Sequence, residues 1–359
     1  MSSKLLPLAL CAFICTVAHA EPYFAVQQGL KCMACHVNPT GGGMRNVYGE
    51  TWGQTVLPAR YIAADGAEPW TGELNRYVAL GGNLRADASV TDIPHQKTQT
   101  AFDVEEMRVY LEVRAIPDRL SVYVDQRIAP GGSINSEAYG RLWFHEHHLY
   151  VKAGQMYLPY GLRLQDDTAF IRQVPGINFA TPDRGVELGL ETDQWSAQFT
   201  MSNGTAGGPA AGSGKQYSLR AEYVRSLGRI GASFNLNDAA AGKRQMQNLF
   251  AGLRTGPVAW LGEADYIVDD SLGPRRKQAL GLVEADWRIR QGHNLKLTAE
   301  YFDPDIDVSN DAQNRFSLVW EFTPMQFVQL RIGARNYDGI PQNDLENRRV
   351  LFAQLNGYF

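Results

Sequence analysis

Cysteine is scarce in this chain. Its 359 residues hold four, and Cys11 and Cys15 fall inside an N-terminal export leader, residues 1–20. Lys4 charges the leader, Leu5 to Val17 form its apolar core, and Ala18-His19-Ala20 is a small-x-small cleavage site. The mature chain is therefore expected to start at Glu21. Only Cys32 and Cys35 remain, too close together to staple distant segments, which excludes a disulfide scaffold. Long apolar runs are missing too: after the leader, nothing reaches the roughly 20 residues that a membrane helix needs. Nor is one sign of charge in excess. Lys and Arg number 34 against 38 Asp and Glu, a net of −4, which gives no field for nucleic acid. No hydrolytic constellation and no phosphate-binding loop is present.

What is present is alternation. From Leu74 onward the dominant period is two. Val283, Ala285, Trp287 and Ile289 interleave with Glu284, Asp286, Arg288 and Arg290. Val328, Leu330, Ile332 and Ala334 interleave with Gln329, Arg331, Gly333 and Arg335. Short turns such as Pro117-Asp118, Gly256-Pro257 and Gln291-Gly292 alternate with longer polar loops near residues 91–100, 129–137, 160–183, 238–245 and 338–347. A soluble all-β protein with one wet face shares the alternation. The leader, the loop asymmetry and the aromatic end "VLFAQLNGYF", which resembles the final-strand signal of outer-membrane barrels, favour the membrane. The expectation is a transmembrane antiparallel β-barrel of about 16 strands over residues 74–359, in the bacterial outer membrane. Both signs of charge point inward, Arg108, Glu112, Glu263 and Arg331 among them. The longest loop follows the fifth strand. If it folds inward as its porin counterpart does, Arg163, Asp166, Asp167, Arg172, Asp183 and Arg184 form a constriction. The hard oxygens of Asp166 and Asp167 offer a cation site at the outer face, or are simply solvated.

The remaining motif is Cys32-Met33-Ala34-Cys35-His36. Two thiols with an adjacent imidazole have the spacing of covalent haem attachment. The cysteines form thioethers and His36 takes the iron axially. A thioredoxin-like pair lacks its βαβ surroundings, and a structural zinc site lacks a second ligand pair. Residues 21–73 thus read as a monohaem cytochrome c segment, too small to build a large core alone and suited to plugging the lumen. Gly41-Gly42-Gly43 lets the backbone pass close to the macrocycle. For the sixth ligand, the Met44 thioether is a candidate, or it packs against the haem. His145, His147 and His148, on a turn expected beside the haem segment, are alternatives, or form a plain solvated turn.

A haem motif followed by a barrel resembles the fused outer-membrane monohaem cytochrome–porin family of iron-oxidising bacteria. The resemblance covers the whole architecture, with its sharp motif at Cys32–His36. It implies one haem c and electron passage across the outer membrane, between an extracellular donor such as ferrous iron, or an acceptor, and periplasmic cytochromes or other carriers. A diffusion porin with a haem-bearing plug or sensor, or the barrel subunit of a larger multihaem complex, shares these features.

Overall fold

The computed structural model describes residues 21–63, 66, 68–178, 181–204, 214–239, 242–271 and 273–359. The expected leader lies outside the described residues. Two short helices open the chain, α1 (Pro22–Gln28) and α2 (Val47–Thr55), followed by a three-residue strand, β1 (Glu73–Asn75). The long strands are β2 (Val78–Asp92), β3 (Gln99–Ile116), β4 (Leu120–Ala129), β5 (Ile134–Phe144), β6 (Leu149–Met156), β7 (Asp183–Glu191), β8 (Trp195–Ser202) and β9 (Lys215–Arg225). They continue with β10 (Gly228–Ala239), β11 (Gly242–Thr255), β12 (Val258–Asp269), β13 (Arg276–Arg290), β14 (His293–Asp303), β15 (Gln313–Met325), β16 (Val328–Asp338) and β17 (Arg349–Tyr358). A single turn, α3 (Phe170–Gln173), interrupts the connection between β6 and β7.

Each long strand pairs antiparallel with the next. The last closes on the first: β17 pairs with β2 from Arg349↔Asp92 to Tyr358↔Asn83. Among the described residues this makes a closed barrel of 16 strands, with β1 a short addition beside β2. Closure removes both sheet edges, so that each long strand has a paired neighbour on either side.

The alternation decides which way each residue faces. Along β14, Leu297 and Ala299 are exposed, while Lys296, Thr298 and Glu300 are buried. Leu249 is 67% exposed and Leu351 60%, whereas Arg220 and Glu222 are buried on the inside. Apolar residues out and charged residues in is the reverse of a water-soluble protein. It fits a lipid exterior around a polar interior.

One end of the barrel carries connections of two to four residues; the other carries the longer ones, up to residues 157–182. Two loops are shorter than the sequence suggests. The strands run on until only residues 130–133 separate β4 from β5, and 240–241 separate β10 from β11. The 157–182 connection does fold inward. Leu158, Tyr160, Leu162, Leu164 and Ile171 are buried within the barrel. Its backbone is tied to the wall: Gly161 N donates to Ser233 Oγ at 3.0 Å and Leu162 N to Glu263 Oε2 at 2.6 Å.

Candidate functional site

The N-terminal segment is threaded into the barrel and bolted around its ring. Pro22 opens α1 with its preset φ, and Gly29, at φ 66°, closes it in the left-handed conformation. A Cβ at Gly29 would come within 2.8 Å of the Ser226 backbone. Tyr23 is fully buried, and its Oη donates to Glu321 on β15 at 2.5 Å. The Glu21 carboxylate accepts from Lys296 on β14 at 3.0 Å, Arg331 on β16 at 3.2 Å and the Gln165 amide at 3.3 Å. Burial disfavours the ionised Glu21, but Lys296 and Arg331 outweigh it and hold the carboxyl below its ordinary range. Further round, Arg254 on β11 donates to Gln27 O at 2.7 Å, and Arg229 on β10 donates to Leu30 O. Lys31 pairs with Glu191 on β7 at 2.8 Å, and Arg141 on β5 donates to Val37 O. Met44 N donates to Tyr123 Oη on β4 at 3.0 Å, and Tyr358 on β17 donates to Gly53 O.

Within this plug, Cys32–Ala34 make one tight turn, with the Cys35 and His36 amides both donating to Cys32 O at 3.1 Å. The two cysteines are not joined in a disulfide. The chain then doubles back through Gly41, Gly42 and Gly43, all at positive φ, so that His36 pairs with Arg45. Glycine is required here twice over. The backbone is left-handed, and a Cβ on Gly43 would come within 2.4 Å of Tyr123 Oη.

Cys32, Cys35 and His36 line a cavity with about 820 Å³ of space between atoms, part of it opening to solvent. Phe24, Leu30, Trp52, Leu57 and Leu162 supply apolar walls, and Arg45, Arg163, Arg220 and Arg229 supply cations. Arg163 is oriented by donating to Gly41 O at 2.7 Å. Burial, with Cys32 beside it, pushes the Cys35 thiol up to about 11. A reactive redox thiol needs the opposite shift. Two thiols, one imidazole, an apolar slot and guanidinium groups able to meet carboxylates form a donor set suited to a c-type haem. Cys32 and Cys35 would hold its edge, His36 its iron, and the arginines its propionates.

The other candidate ligands fall elsewhere. Val37 N donates to Met44 O at 3.0 Å, opposite each other in the same hairpin, one register step from His36 and Arg45. Met44 therefore turns from the cavity. It is buried against the wall, where a Cβ on Gly81 would come within 3.6 Å of its Cγ. The 145–148 turn does lie at the short-turn end, beside the plug. There His147 meets Asp118 O, and His148 Nδ1 lies 2.8 Å from Glu191 O. His145, His147 and His148 do not line this cavity, but His147 lines a neighbouring, more open one together with His36 and Met33.

Asp166 and Asp167 sit on the inward loop but face arginines. Asp166 pairs with Arg315 and Arg335, each at 3.1 Å, and Asp167 with Arg85 at 3.3 Å. Among the described residues no group of three His, Cys, Asp or Glu side chains is placed to hold a metal ion. The expected outer cation site is thus an ion-paired cross-brace of the lumen. Arg163 and Arg172 are buried in that loop, while Arg184 faces outward, donating to Gln155 Oε1 at 3.3 Å. Glu21, Arg220 and Arg229, which sequence reasoning did not assign to the cavity, are brought there by three separate elements. The inward position of Arg220 in the period-two pattern pointed to it; nothing local in the sequence pointed to Glu21 or Arg229.

No protein-family model and no curated protein sequence matches the chain. Solved structures do. OmpT of Vibrio cholerae, in its in-vitro folded trimer form, aligns with TM-score 0.62 at 12% identity, over 79% of this chain and 99% of that one. The anion-selective porin from Comamonas acidovorans aligns with TM-score 0.62 at 9% identity, over 79% and 99%. OprB of Pseudomonas putida aligns with TM-score 0.61 at 8% identity, over 80% and 95%. At these identities the likeness shows the fold: an outer-membrane porin barrel.

Proposed function

We propose that this protein is an electron conduit of the outer membrane, carrying one covalent haem c on Cys32, Cys35 and His36 inside its barrel. The observation that carries the reading is the position of those three residues. They line a cavity closed in by the plug, the inward loop and wall strands β9 and β10. The membrane's apolar band, about 25 Å tall, insulates. A redox centre within the lumen is shielded from lipid and shortens the gap between the two sides. The bound group supplies one-electron exchange at iron. The chain's own residues attach it, surround it with apolar side chains, and place cations against its acidic edge. The resemblance to the fused cytochrome–porins gives the same reading. It suggests ferrous iron or another extracellular donor, or an acceptor, on one side and periplasmic carriers on the other.

The test is made in proteoliposomes. Protein matured with haem should pass electrons from an external donor to a trapped oxidant while small sugars stay out. Sugar-driven swelling without electron transfer would instead identify a diffusion porin and end the conduit reading.

A further inference from the structure

Resting on the haem reading above, we propose that the α-amino group of Glu21, released by leader cleavage, is the sixth ligand of the haem iron. Glu21 and Pro22 line the same cavity as Cys32, Cys35 and His36. Chain ends fray unless tied down. This one is tied: Glu21 is 2% exposed, and its side chain is bound by Lys296, Arg331 and the Gln165 amide. Its backbone is therefore fixed at the cavity wall.

Elimination points the same way. Among the described residues lining the cavity there is no second imidazole and no thioether; His147 and Met33 share only a neighbouring cavity with His36, and the His147 ring there meets Asp118 O. Lys31 Nζ is committed to Glu191 at 2.8 Å. Tyr48 is 48% exposed. Arginine stays protonated and offers no lone pair.

The chemistry is simple and leaves a record. Water cleaves the Ala20–Glu21 peptide bond; the hydroxyl goes to the Ala20 carbonyl carbon and the proton to the Glu21 nitrogen. An amide nitrogen, its pair delocalised into the carbonyl, becomes an amine that can give that pair to iron. No electron is transferred in coordination. An α-amine ordinarily titrates near 7.7–8.0, so the neutral donor is accessible at neutral pH. Pro22, an amide nitrogen, has no such pair. Six-coordination is then possible only after export. The rival state is an ammonium held by the carboxylates clustered on Lys296, namely Glu284, Asp286 and Glu321.

The experiment uses the full exported, haem-loaded protein in detergent. Intact mass should give a chain starting at Glu21 plus one haem. The ferric protein should be low-spin, with the near-infrared charge-transfer band of imidazole–amine ligation and no sulfur-to-iron band. Inserting one Gly between Ala20 and Glu21, with the new terminus verified by mass, shifts the amine by about 3.8 Å. It should turn the haem high-spin and raise cyanide affinity at least tenfold. Glu21→Ala, which keeps the amine but loses its anchors, should give a partial high-spin population. Met44→Ala should leave the spectrum unchanged. The proposal is overturned by a mature terminus other than Glu21, by a spectrum indifferent to the Gly insertion, or by a sulfur band that Met44→Ala removes. If the insertion variant does not assemble, the wild-type near-infrared band and Glu21→Ala decide. Absence of any covalent haem strikes the conduit reading itself, which separates the two failures.

Discussion

At the scale of the residue, covalent chemistry and orientation separate cleanly. Cys32, Cys35 and His36 are adjacent in sequence, and one tight turn sets them on a single cavity. Burial, with Cys32 beside it, raises the Cys35 thiol, the opposite of the shift that a redox nucleophile needs. Cys32→Ser and Cys35→Ser should each lower gel-stainable haem severalfold in protein from a strain with c-type maturation, and the double substitution should abolish it. The barrel should still migrate as a heat-modifiable band, because the Cys32 thiol meets wall strand β10 through the Arg229 side chain, at 3.7 Å, and not through the backbone ladder. Full staining of the double variant would mean that the pigment is attached elsewhere. Met44 makes the converse point. One register step in a hairpin turns its side chain from the cavity to the wall, so proximity in sequence does not deliver a ligand.

At the scale of the element, the 157–182 connection shows how an acidic pair becomes structural. Burial disfavours ionised Asp166, yet Arg315 and Arg335 hold its carboxyl well below its usual range. Burial, then the neighbouring Glu105 carboxyl, push Asp167 up to about 7 against the pull of Arg85. The signs differ accordingly. A folded-state pKa above the unfolded value, about 4, means that the native state binds more protons, so stability falls as pH rises between about 4 and 7. For Asp166 the contribution is complete above about 4 and lost below it. The thermal midpoint of the wild type should therefore decline from pH 5 to pH 8. Asp167→Asn should flatten that decline while leaving the acid-side loss. An unaltered slope in the Asn variant would assign the titration to another group.

At the scale of the whole molecule, the barrel and its plug complete each other. A segment of about fifty residues is marginal as a separate core, and beyond internal bonds such as Asn46 to Met33 O and Arg45 to Glu50 it is anchored to strands all round the wall. The lumen of a barrel of 16 strands is wide unless filled. Here it holds the plug below and the inward loop beside it. Excising residues 21–72 behind the leader should therefore leave an assembled barrel that admits sugars severalfold faster in liposome swelling than the full chain. A deletion barrel as tight as the parent would show that the inward loop alone seals the lumen.

The sequence by itself determined two things, because each is written in a short window. Alternation of apolar and charged residues, with closing turns, specified a lipid-facing barrel of this strand number. The C-x-x-C-H spacing marked the tight turn that carries Cys32, Cys35 and His36. The tertiary structure alone decided what surrounds that motif. Arg163, Arg220, Arg229 and Glu21 reach it from the inward loop, two wall strands and the residue that caps α1. Their meeting depends on ring closure, on strand register and on how deeply the plug is threaded. These are long-range quantities, which no local spacing of residues encodes.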